Sequence, residues 1–249
     1  VKKILLGLAV LVLTLSIGTD ASAWVELEGR YWFPTLDANF KSSTTGVIGT
    51  NIDLVKDLGL DDSESFPEGR VTLNIGKHML RYGFMQLEWD ASKIITQEIK
   101  FGGKTYSAST LVDTTLKADY HRLGYEYDFF DVLNNKLGVI FEVKYFDFEA
   151  GLKATGLSEL ESLKAPVPTI GIAAQIGLPA IFSIGGEVTG MGLGSDLYIY
   201  DAEVGVIVTP APFIRISGGY RIFELHIEDG DDSATLTLSG PYVMLKADF

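Results

Sequence analysis

Cysteine is missing from all 249 residues, which excludes a disulfide framework and a lipoprotein anchor. Histidine is almost missing: only His78, His121 and His226 occur. Positive charge is also scarce, with 20 Lys and Arg against 33 Asp and Glu and a formal net charge of -13. Such a polyanion is a poor partner for nucleic acid. Beyond the first two dozen residues, no apolar run approaches the roughly 18 to 20 residues that a membrane helix needs.

What is present begins with a leader. Lys2 and Lys3 precede an apolar run from Ile4 to Ile17, and Ala21-Ser22-Ala23 offers small residues to a signal peptidase. This predicts a cleaved signal peptide over 1–23 and a single domain over 24–249, exported through the periplasm. An exported chain that spans a membrane without helices must do so as a closed barrel, because unpaired backbone groups in lipid cost several kcal/mol each.

Alternation of apolar and polar residues marks ten segments: Trp24 to Phe33, Glu68 to Lys77, Leu80 to Lys100, Thr105 to Phe129, Lys136 to Ala154, Val167 to Gly177, Ile181 to Leu193, Leu197 to Thr209, Phe213 to Glu228 and Ser233 to Phe249. They predict an all-β, antiparallel up-and-down transmembrane barrel of ten strands, or eight if the segments between Val167 and Leu193 pair differently. Short periplasmic turns fall at Lys77 to Met79, Asp131 to Asn135, Gly177 to Ala180 and Pro210 to Pro212. Outer loops are expected at Pro34 to Pro67, near Gly102-Gly103, at Gly156 to Pro166, near Gly194-Ser195 and at Asp229 to Asp232.

Several strands exchange their polar and apolar faces midway. Leu137, Val139, Phe141, Val143 and Tyr145 are followed at the same parity by Asp147, Glu149 and Lys153, while Phe146, Phe148 and Leu152 continue the parity of Glu142 and Lys144. Similar exchanges occur at His121, beyond Ile222, and between Thr237 and Val243. A bulge in each strand could shift the phase. The simpler reading is that the strands outgrow the membrane, with apolar residues outside in lipid and inside above it.

Parity then predicts a lumen charge network of Arg30, Arg70, Arg81, Arg122, Glu126, Glu142, Lys144, Glu187, Glu203, Arg215 and Arg221, with Glu26, Glu28, Asp128, Asp201, Lys246 and Asp248 beside it. Acids and bases nearly balance, which favours a salt-bridged plug over an ion-selective pore. Leu116, Tyr120, Phe146, Phe148, Phe223 and Leu225 are the candidate apolar upper interior.

Catalytic chemistry of the hydrolase type needs a histidine with a partner. His78 falls at a periplasmic turn, and His121 and His226 face away from the lumen despite Asp119, Glu224 and Glu228 nearby. With no serine motif either, no catalytic residue is assigned. The acidic runs Asp61-Asp62-Ser63-Glu64 and Glu228 to Asp232 suit solvated turns as well as cations, so no metal or cofactor is assigned. Ile52, Leu54, Val55, Leu58 and Leu60 predict a short amphipathic helix over Asn51 to Leu60, a candidate lid on the barrel mouth.

The last strand places Val243, Leu245, Ala247 and Phe249 on one face and ends on that phenylalanine. It resembles the assembly signal of bacterial outer-membrane β-barrel proteins, and leader and closing strand together are similar to the small, poorly characterised members of that group. The resemblance implies residence in the cell outer membrane, insertion by the barrel-assembly machinery, outer-membrane lipid and lipopolysaccharide as surroundings, and a monomer. The functional expectation is a narrow or plugged barrel that binds or passes a small hydrophobic molecule. Its alternatives are a structural or surface-interaction barrel and, behind it, a barrel enzyme.

Overall fold

The computed structural model describes residues 23–41, 49–192, 194 and 196–249, so the expected leader lies, apart from Ala23, outside the described residues. In chain order the strands are β1 (Ala23–Trp32), β2 (Thr35–Lys41), β3 (Ile52–Asp53), β4 (Phe66–Ile75), β5 (His78–Ile94), β6 (Ile99–Phe101), β7 (Lys104–Tyr106), β8 (Leu111–Val132), β9 (Asn135–Ala154), β10 (Leu157–Gly177), β11 (Phe182–Gly192), β12 (Leu197–Ala211), β13 (Ile214–Asp229) and β14 (Asp232–Asp248). Ten of them, β1, β4, β5 and β8 to β14, form an antiparallel barrel, closed where β1 pairs with β14. At the seam Phe249 exchanges two backbone hydrogen bonds with Val25, at 2.8 and 3.0 Å.

The exchange of faces proceeds without bulges. The β8–β9 ladder runs unbroken from Asp113 opposite Lys153 to Asp128 opposite Gly138. Its one shift, at Asp128/Phe130, lies beside the turn at the other end, and the β12–β13 shift at Val208/Ala211 is similarly placed. One continuous pleat therefore presents Leu123 and Phe141 outward low down and Asp119 and Asp147 outward higher up. Between these levels His121 lies against Phe84 at 4.8 Å and bonds the Tyr82 hydroxyl at 2.9 Å, an aromatic belt of the kind that marks a membrane boundary.

Several predicted loops are strands. Thr35–Lys41 belongs to the expected loop Pro34 to Pro67, yet it pairs with β14 and extends the wall upward, burying Leu36 and Ala38 at the alternation a strand requires. Likewise, the expected loop Gly156 to Pro166 is the upper part of β10, paired with β9 from Leu157. Proline accounts for the difference. Pro166 and Pro168 lie where β10 has lost its other neighbour, since β11 reaches only to Ile170, and on that open edge a missing N–H costs no ladder bond. Pro67 is similarly placed, because β5 joins β4 only from Glu68 onward.

Two further boundaries move. The expected strands Leu80 to Lys100 and Thr105 to Phe129 stop short of each other, and the β6–β7 hairpin stands between them with Gly102 and Gly103 at φ +55° and +76°. The expected helix over Asn51 to Leu60 is instead one turn: the amides of Asp57 and Gly59 bond the carbonyls of Asp53 and Val55, and the Asp53 carboxylate accepts from the amides of Val55 and Lys56 at 3.1 and 2.9 Å. Gly59, at φ +80°, ends it before a second turn can form. Its apolar residues still point into the barrel, with Leu58 and Leu60 buried.

Candidate functional site

The interior has two storeys. In the lower one, β1, β4, β5, β8, β9, β11, β12, β13 and β14 each send at least one charged side chain inward. Arg221 on β13 makes a two-pronged pair with Asp201 at 2.8 Å for both bonds, and also donates to Glu68 at 2.6 Å. Arg122 bonds both Glu142 oxygens at 3.1 Å and Glu187 at 2.8 Å. Arg81 joins Glu126 and Glu187, each at 2.7 Å, while Arg30 donates to Glu203 at 2.8 Å. Lys144 donates to Glu142 at 2.6 Å and to Asp201 at 3.1 Å. Arg70 spans more loosely to Glu68 and Glu187, both at 3.6 Å.

Toward the periplasmic mouth the pairs continue: Arg215 bonds Asp248 and reaches Glu26 at 3.2 Å, Lys246 reaches Glu26 and Glu28, and Asp128 lies 3.8 Å from Lys136. Thus the structure brings every residue of the predicted charge network into one interior cluster. Lys144 and Arg221 have no exposed surface at all. Such a cluster survives burial only if each charge meets several opposite ones, because the desolvation penalty is several kcal/mol per ion.

Sequence reading missed three members. Glu68 bonds Arg221 and lies within 3.8 Å of Arg30, Arg70 and Arg122, although its parity with Arg70 would have placed it. Trp32 and Tyr242 were missed because inward aromatics look like girdle residues in sequence. Instead, Arg221 stacks over the Trp32 ring at 4.7 Å and Arg30 over Tyr242 at 4.5 Å. Gly205 and Gly219, directly opposite each other, make room for that tyrosine: a Cβ on Gly205 would lie 2.6 Å from its hydroxyl, and one on Gly219 2.8 Å from its ring.

The upper storey is apolar. Tyr120 and Phe146 stack at 4.7 Å, Phe146 and Phe148 at 5.3 Å, and Phe223 closes on Phe146 at 5.9 Å. Tyr120, Phe146, Phe223 and Leu225 are buried, and Leu116 and Phe148 pack against them, so the six predicted residues share one cluster. Above this layer is a cavity of about 270 Å³. Leu116, Phe148 and Leu225 contribute to its lower wall, while Ile52, Leu54, Leu58 and Phe101 come from the turn and the β6–β7 hairpin. Ile52, Leu54 and Leu58 belong to the expected lid, whereas Phe101 lies on a three-residue strand without readable periodicity. Leu163 of β10 also lines the cavity and is 48% exposed, so the space opens beside the free edge of that strand.

Outside this interior, His121 and His226 sit on the outer face, and His226 bonds Thr235 at 2.9 Å. His78, beside its turn, bonds the Tyr125 hydroxyl at 2.7 Å. In the first acidic run, the Asp61 carboxylate accepts from the amide and hydroxyl of Ser63, an ordinary capped turn.

A closed antiparallel barrel carrying lipid-compatible residues around its outside, from Leu27, Leu73 and Leu80 through Leu123, Phe141, Ile170, Ile184, Val204, Ile216 and Leu245, is an outer-membrane β-barrel. The fold is shared with a solved structure. The outer membrane protease OmpT from Escherichia coli is 12% identical over 95% of this chain and 99% of its own, with a TM-score of 0.59. The toluene transporter TodX of P. putida, at 7% identity, aligns with 94% of this chain and 91% of its own at a TM-score of 0.38. The translocator domain of the autotransporter NalP from Neisseria meningitidis, at 10% identity, covers all of this chain and 96% of its own, also at 0.38. No protein-family model and no curated protein matches the sequence.

Proposed function

We propose that this barrel binds a small hydrophobic molecule in its extracellular half, above a lumen closed by paired charges. The observation that carries the reading is the apolar cavity of about 270 Å³ directly over the aromatic layer. A dry cavity of roughly 150 Å³ already accepts one benzene-sized ligand, so this one suits a molecule of one ring with a short chain. Entry is from outside the cell, beside Leu163 on the free edge of β10. Outer-membrane lipid and lipopolysaccharide surround the belt, and the barrel-assembly machinery inserts the chain by its closing strand at Phe249.

Titration of the refolded protein in detergent with an alkylbenzene tests this. Binding is expected in the parent and absent in Ala150→Phe, whose ring would occupy the cavity, with the heat-modifiable band of the folded barrel retained. Equal binding by both proteins would sink the proposal. The paired charges of the lower storey support a second reading, a structural or surface-interaction barrel without transport; a parent that folds and binds no apolar probe would favour it.

A further inference from the structure

Charge matching inside this barrel has one exception. Among the described residues, the inward carboxylates of the lower storey each have a cationic partner, from Glu26 with Lys246 to Glu203 with Arg30. The same holds at the rim of the upper storey for Glu159, whose carboxylate meets Lys104 at 2.6 Å. Two residues along the same face of β10, Glu161 forms no ion pair or hydrogen bond with any described residue. It is half-buried and belongs to the lining of the apolar cavity, with one carboxylate oxygen beside Gly102 of the β6–β7 hairpin.

The surroundings sharpen the imbalance. Lys41 is the single cation of that lining, and it stands on β2 opposite Ser233, next to Asp232, the other lining carboxylate. Glu161 is placed on β10 opposite Ala150, between Leu160 and Ser162, where no described residue forms an ion pair with it. Its carboxylate is thus a free acceptor beside an apolar space, which a bound cation would meet with a charge-assisted hydrogen bond.

We infer that the ligand of this cavity carries one cationic group, an amine on a compact apolar body, and that Glu161 receives it. The inference rests on the cavity being a binding site, as proposed above. The apolar part fills the space between Leu116, Phe148, Leu58 and Leu225, and the ammonium lies toward β10 at the opening beside Leu163. Glu161 is then a specificity-determining residue: the cavity supplies affinity for the body, and the carboxylate selects the head. The net charge of -13 draws such a cation toward the protein before it reaches the site.

Two probes of one skeleton, 2-phenylethylamine and 2-phenylethanol, separate the parts of the argument. Calorimetric titration of the full refolded protein in detergent at neutral pH is expected to give at least a roughly tenfold preference for the amine, the scale of one charge-assisted hydrogen bond. In Glu161→Gln the preference should vanish while the affinity for the alcohol stays the same, in a protein that retains its folded band on unheated gels. Equal affinity for both probes in the parent, or an unchanged preference in the variant, would overturn the role of Glu161 and leave the cavity standing as a binding site. Failure of the parent to bind either probe would remove the cavity reading and this inference together.

Discussion

The Lys144 ammonium and the Tyr120 hydroxyl lie 3.0 Å apart, fully buried, at the level where the charged storey ends and the aromatic storey begins. Tyr120 turns its hydroxyl down toward the ions and its ring toward Phe146, so one side chain serves both environments. The Lys144 charge is shared further between Glu142 and Asp201.

Lys144→Met should therefore cost much more than Tyr120→Phe. Removing the ammonium leaves Glu142 and Asp201 short of a buried partner, a loss of about 3 to 5 kcal/mol. Removing the hydroxyl deletes the bond from Lys144 and a longer one to Asp201 at 3.3 Å, and should cost about 1 to 2 kcal/mol. Urea unfolding of the barrel refolded in detergent or lipid measures both, and equal costs would mean that the lysine is not held by the network.

Arg122 bridges Glu142 and Glu187 across the middle of the lumen. If the paired charges close the lumen as proposed, Arg122→Ala should show steady conductance in planar bilayers where the parent shows none. A silent variant with a correctly folded barrel would show that the remaining pairs close the lumen without it.

The turn over the mouth should loosen in acid. Burial raises the Asp53 pKa, but hydrogen bonds from Lys56 and Val55 outweigh it, and the net shift is below the ordinary 3.8. A carboxylate with a depressed folded-state value contributes its stabilisation above the unfolded value, and loses it as pH falls through the folded one. Amide exchange of residues 54–60, corrected for the intrinsic rate, should thus accelerate below about pH 4 and lose that dependence in Asp53→Ala. A rate independent of pH in the parent would count against the cap.

The barrel itself was legible because a period of two survives in every stave, and because the exchange of faces needed no bulge to explain it. Charged lumen residues such as Arg122 and Glu142 were legible for the same reason: polar positions at fixed parity inside an apolar band have only one side to face. The upper wall was harder. At Pro166 the usual meaning of proline, a loop, gave way to an open sheet edge that depends on how far β11 extends, which is a property of a neighbouring strand. The apolar pattern over Asn51 to Leu60 showed the lid residues but not that Gly59 ends them after one turn, and the β6–β7 hairpin escaped because strands of three residues carry no period. Their packing is decided by the cavity they close.

The uninterrupted pleat through the exchange of faces has a consequence for how the molecule sits in a bilayer. Backbone geometry is the same on either side of the belt at His121 and Tyr145, so no kink or ledge in the wall registers where hydrocarbon stops. Immersion depth is written only in side chains, above all in the step from His121 and Tyr145 to the opposed carboxylates of Asp119 and Asp147. The protein is in this sense a float with a painted waterline: its draught can be retuned through a few outward residues without rebuilding the hull.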